Sequence, residues 1–284
     1  MKWRGRRTSD NIADVRGSGG GMRRAGGIGG LGVILLFVAS MIFGVDLTGL
    51  AGLVGGGAPA PQSQSGPNVI DDETEEFVAV VLADTESVWT REFAERGGRY
   101  VEPTLVLFSG AVASACGSAS SAVGPFYCPG DQRVYLDTDF FATLERDLGA
   151  RGEFARAYVI AHEVGHHVQN LIGVMEKTMA ARMRRSEAEA NAISVRTELQ
   201  ADCFAGVWAR ELHEREGVLE RGDIESALDA AARIGDDALQ RRSQGYVVPD
   251  SFTHGTSEQR RTWFYRGFET GEMEACDTFA AGAL

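Results

Sequence analysis

Beyond its first 27 residues the sequence has no excess of lysine and arginine over aspartate and glutamate. The chain carries a formal net charge of -12 over 284 residues. Residues 1–27 hold Lys2, Arg4, Arg6, Arg7, Arg16, Arg23 and Arg24 against Asp10 and Asp14, a balance of +5, so the remainder stands at -17. Binding to phosphate backbones needs clustered basic side chains, so an acidic body argues against nucleic acid as a partner. No internal repeat is present, so a repeat array is not expected. The four cysteines show no C-x-x-C spacing, so a zinc site built from all four is not expected.

Residues 28–45 lack charge altogether. At roughly 1.5 Å per residue this apolar run covers about 27 Å, enough to cross a bilayer core. A mildly apolar stretch continues past Asp46 to Val54. With the basic flank on its N-terminal side, the expectation is a single-pass signal anchor over 28–54. Residues 1–27 would then form a cytoplasmic tail, with the C-terminal body outside the cytoplasm. Ala58-Pro59-Ala60 resembles a signal-peptidase site, but it lies far beyond the apolar run, and the basic region is long for a cleaved leader. Residues 55–72 are rich in Gly, Pro and Ser and read as a flexible linker. The body is expected over 73–284.

Apolar periodicity predicts helices over 73–96, 140–148, 153–172, 186–214, 223–234 and from Thr256 or Ser257 to Phe268. Thr104–Phe108 and Arg133–Asp137 read as strands, with a Gly/Ser/Cys loop between them. The expected fold class is α+β, a mainly helical domain with a small sheet. Cys116 and Cys128 flank the loop, leaving Cys203 and Cys276. An exported body favours disulfides, but spacing alone leaves three pairings open.

The most informative segment is Ala161-His162-Glu163-Val164-Gly165-His166. Histidines four apart share one helix face and can reach one metal ion. Glu163, about a third of a turn from His162, can face the open position and take a proton from a metal-activated water. Tyr158, His162, His166 and Gln169 form a stripe beside the apolar stripe of this helix. A catalytic zinc needs a third protein ligand. Glu198 is the best candidate, being a carboxylate in the middle of a helix beside an apolar stripe. Asp202, one turn on, is placed to hold the second ring N–H of a ligating histidine. His254 is the candidate for stabilising an oxyanion, with Tyr246 behind it. His167 points about 100° away from His166 and is not expected to bind the metal. His213 belongs near a helix C-terminus, and Trp89, Trp208 and Trp263 belong to the core. The strand Val134–Leu136 is a candidate for pairing with an extended peptide.

His162-Glu163-x-x-His166 followed by Glu198-x-x-x-Asp202 resembles the gluzincin pattern of thermolysin-like peptidases. The body more closely resembles the bacterial neutral zinc metallopeptidase family. The likeness lies in Cys116–Ala119, Gly124–Pro129, Val134–Asp137, His162–Asn170, Glu198–Trp208 and Phe252–Gly267. It implies a zincin-like domain behind an N-terminal membrane anchor. It also implies Zn2+ held by His162, His166 and Glu198, Glu163 as base, and Asp202 behind a histidine. The activity expected is hydrolysis of peptide bonds in a peptide or protein substrate. Two other readings stay open: a catalytically silent zinc-bound scaffold at the envelope, and a zinc hydrolase acting on a non-peptide amide.

Overall fold

The computed structural model describes residues 1–16, 69–120 and 124–284. The expected membrane segment over 28–54 lies outside the described residues, as does the linker up to residue 68. Among the described residues no helix is long and apolar enough to cross a membrane.

Eight α-helices are present among the described residues: α1 (Glu73–Glu95), α2 (Asp139–Arg146), α3 (Glu153–Leu171), α4 (Val174–Arg182), α5 (Glu187–Glu216), α6 (Asp223–Arg233), α7 (Asp236–Gln244) and α8 (Ser257–Thr270). Six strands accompany them: β1 (Ile12–Asp14), β2 (Thr104–Phe108), β3 (Ala111–Ser114), β4 (Gly117–Ser120), β5 (Phe126–Cys128) and β6 (Arg133–Asp137). Mixed helix and sheet is therefore correct. Helices α4 and α7 and the strands within 111–128 were not expected.

A four-stranded sheet runs β1-β2-β6-β5, with β1, β2 and β6 parallel and β5 antiparallel to β6. Side chains alternate across it, as strand geometry requires. Leu105, Leu107, Val134 and Leu136 face the helical core, while Val106, Phe108 and Tyr135 form a second cluster with Val112 of β3. The β3–β4 hairpin thus covers the sheet face away from the helices. Cys116, at the hairpin tip, is bonded to Cys128 at the end of β5, and Cys203 to Cys276.

Residues 1–16 correct the expected domain boundaries. They are not a separate tail but part of the body. Ile12, Ala13 and Asp14 pair with Leu105, Val106 and Leu107. Trp3 is buried and meets Phe77 edge-on at 5.3 Å. The basic residues neutralise acids of α1: Arg6 reaches Asp84 at 2.8 Å and Arg7 reaches Glu86 at 3.0 Å. Ionised carboxylates are not buried without partners, and both of these acids lie buried. The charge cluster that reads as a topology signal is thus also the electrostatic complement of α1. At the other junction, Ile70 packs on the core and Asp72 caps α1, so the body also begins before Glu73.

Helix α5 is the central element, packed by α3, α4 and α8. Helices α5 and α8 approach until their backbones nearly touch. A Cβ at Gly267 would sit 1.9 Å from the Cys203 carbonyl oxygen, so only glycine fits there.

Candidate metal centre

The motif lies on α3, whose buried side carries both Ala161 and Val164 of the apolar stripe and His162 and His166 of the neighbouring one. A side chain at Gly165 would press on the Ala201 backbone, its Cβ 3.0 Å from the carbonyl oxygen and 3.2 Å from Cα. Glycine there lets α3 and α5 approach closely beside both histidines. Glu198 and Asp202 stand one turn apart on α5 and meet the histidines across this contact.

His162 Nε2 lies 3.2 Å from Glu198 Oε2, and His166 Nε2 lies 3.5 Å from the same oxygen. The three donor atoms all fall within 4.8 Å of one another. Zinc bonds nitrogen and carboxylate oxygen at about 2.0–2.2 Å, so two donors on a tetrahedral ion stand roughly 3.4 Å apart. These two separations match that spacing, and the donor set is one that zinc takes. The residues therefore fit the metal.

Each imidazole is held from behind. His162 Nδ1 lies 2.8 Å from Asp202 Oδ1 and donates to it. Asp202 is completely buried and also accepts from Tyr158 Oη and, at 2.8 and 2.9 Å, from the Arg260 guanidinium. His166 Nδ1 lies 2.8 Å from Gln169 Oε1. These bonds leave both Nε2 atoms turned toward Glu198.

The charges follow from these contacts. Burial disfavours ionised Glu198, but the two histidines outweigh it and hold the carboxyl well below its usual range. Burial likewise opposes ionisation of Asp202, yet Arg260 and His162 bring its pKa down to about 2. Burial opposes a charged His162, whereas Asp202 and Glu198 carry its pKa up to about 10. The site is built for positive charge placed between carboxylates.

Glu163 is buried on the same helix and near enough to His166 to act on its charge. His254 reaches the site from the turn before α8. Its backbone N–H and those of Thr253 and Gly255 donate to Asp236 Oδ2 at 2.7, 2.8 and 3.0 Å. Its Nδ1 lies 3.2 Å from Asp236 Oδ1. Burial lowers the His254 pKa, but the Asp236 bond and the charge of Glu198 raise it overall. The structure thus brings His162, Glu163, His166, Glu198, Asp202 and His254 together.

Other candidates fall elsewhere. Tyr246 is 62% exposed on the loop after α7. His167 is buried against the Tyr127 hydroxyl (3.0 Å) and the Val101 carbonyl (2.6 Å). His213 lies in the last turn of α5, and Trp89, Trp208 and Trp263 are core. Strand Val134–Leu136 cannot take a peptide, because β2 and β5 flank it on both sides. Sequence reasoning missed Asp236 and Arg260. Arg260 shares a helix face with Trp263, Phe264 and Gly267, and a charge on such a face signals a buried partner. Asp236 begins a helix after Gly235 and carries no comparable signal.

A histidine pair and a glutamate converging from two helices, with a second glutamate beside them, form a donor set of the kind that holds a divalent metal. The sequence profile of the family described as putative neutral zinc metallopeptidase matches residues 1–279, and the chain belongs to that family. It is 49% identical over 290 residues to the Escherichia coli (strain K12) protein named "Uncharacterized protein YpfJ", covering 98% of this chain and 99% of that one. It is 48% identical over 195 residues to the Mycobacterium tuberculosis (strain H37Rv) protein named "Uncharacterized protein Rv2575", covering 65% of each. No solved structure matches the chain.

Proposed function

We propose that the protein is a zinc-dependent peptidase whose metal is held by His162, His166 and Glu198. The observation that carries this reading is the convergence of two buried histidines and the half-buried Glu198 around one point, with Glu163 on the histidines' helix. Bound zinc supplies Lewis acidity, which polarises the scissile carbonyl and makes a water nucleophilic near neutral pH. Glu163 takes the proton from the attacking water and returns it to the leaving amine. His254, kept as the protonated imidazolium by Asp236 at Nδ1 and the charge of Glu198, offers Nε2–H to the negative charge that develops on the carbonyl oxygen. Strand β5, the antiparallel edge of the sheet beside α3, is the backbone edge to which an extended substrate can add.

Glu163 favours hydrolysis over a silent zinc scaffold, since holding the metal does not require it. The test is Glu163→Gln. The variant should keep stoichiometric zinc and lose cleavage of an unfolded protein substrate that the wild type degrades. Equal behaviour of the two proteins toward that substrate would favour the scaffold.

For location, two disulfides favour an oxidising compartment for the body. β1 carries residues 1–16 into the same compartment. Our reading keeps membrane association through residues 28–54, with the first sixteen residues and the body on one side.

A further inference from the structure

We infer that Gln169 and Gln200 form a relay that sets the tautomer and aim of His166, and that the disulfide-held C-terminal segment anchors this relay. The inference rests on the zinc reading above and adds how the second histidine is positioned.

The direction of every bond in the chain is forced from its far ends. Gln169 is completely buried, and its Nε2 lies 2.7 Å from the Thr197 carbonyl oxygen and 3.0 Å from Gln200 Oε1. Gln200 Nε2 lies 3.0 Å from the Cys276 carbonyl oxygen. A backbone carbonyl only accepts, so each carbonyl must meet an amide nitrogen. That fixes both side-chain amides, whose two ends are otherwise hard to tell apart. Gln169 Oε1 is then left facing His166 Nδ1 at 2.8 Å. An amide oxygen also only accepts, so Nδ1 must carry a proton. His166 Nε2 is thereby the free lone pair, and it is the atom facing Glu198.

The far end of the relay is not free to move. Cys276 closes the 3-10 turn Met273–Cys276 and is bonded to Cys203, three residues beyond Gln200 on α5. Thr278 Oγ1 donates to the Arg196 carbonyl at 2.7 Å, and Arg196 donates back to the Thr278 carbonyl. The tail is therefore pinned to α5 on both sides of Gln200. His162 has a different support, a carboxylate braced by Arg260 and Tyr158. The two imidazoles are thus keyed independently, one by charge and one by amide orientation.

The experiment compares zinc affinity, by chelator competition, with the melting temperature of the zinc-free full-length protein. Removing a group behind a metal-ligating histidine weakens metal binding by about 10–100-fold. Gln169→Leu should weaken zinc by at least about 10-fold, with little change in zinc-free melting. Gln169→Glu keeps an acceptor for Nδ1–H but turns an oxygen toward the Thr197 carbonyl and Gln200 Oε1, so it should bind zinc more tightly than Gln169→Leu and less tightly than the wild type. Gln200→Met, one step removed, and the double serine variant of Cys203 and Cys276 should each weaken zinc less, and less than additively when combined. Wild-type zinc affinity in both Gln169→Leu and Gln200→Met would overturn the relay. So would a loss of zinc affinity that merely tracks a loss of zinc-free stability. A wild-type protein that takes up no zinc would instead overturn the proposed function.

Discussion

Glu198 and Asp202 are alike in chemistry and one turn apart, yet their neighbours give them different work. Asp202 accepts from an imidazole, a phenol and a guanidinium, so its lone pairs are committed to holding His162. Glu198 presents one oxygen to two imidazole nitrogens, an arrangement that a cation can occupy. His254 stands apart from both roles, because Asp236 fixes its ring without drawing it into the donor cluster. A hydrogen-bond donor aimed at an oxyanion is worth about 10²–10³ in kcat. His254→Ala should therefore lower kcat by roughly 100-fold or more while zinc content stays at the wild-type level. Asp236→Asn should follow in the same direction. Loss of zinc from His254→Ala would place that residue among the metal's supports rather than with the substrate.

At the scale of elements, the site depends on how closely helices approach. The contact of α5 with α8 carries Asp202 and Arg260 into one network, and Gly267 permits it. Gly267→Ala should force the helices apart and destabilise the protein by about 3 kcal/mol or more, read as a lowered melting temperature in both zinc-free and zinc-loaded protein. The helices that bear the site were legible because their periodicity is strong and their stops are glycines. The region 109–131 reads as a loop because its Gly- and Ser-rich strands have little β character, and the covering hairpin is defined by pairing rather than by composition. Helix α7 was missed for a related reason: Asp236–Gln244 is mostly polar and has no apolar stripe to find. The three metal-binding candidates were readable because chemistry restricts them to few residue types at helical spacing. Asp236 acts through tertiary contacts that no local pattern records, whereas Arg260 leaves one local sign, a charge on the apolar face of α8.

At the scale of the whole molecule, the sheet joins the beginning of the chain to its middle. β1 pairs with β2, and on that pairing rests our proposal that residues 1–16 and the body share one compartment. Asp10→Cys and Glu187→Cys, both at exposed positions, should react alike with a membrane-impermeant maleimide on intact cells. Labelling of only one would contradict the shared compartment. All of the functional reading converges on a single divalent ion between α3 and α5. The most direct test is the zinc content of the purified full-length protein beside that of Glu198→Ala. The account predicts one zinc per wild-type chain and a folded variant that loses it on dialysis. Zinc retained equally by the variant, or absent from the wild type after loading, would contradict it.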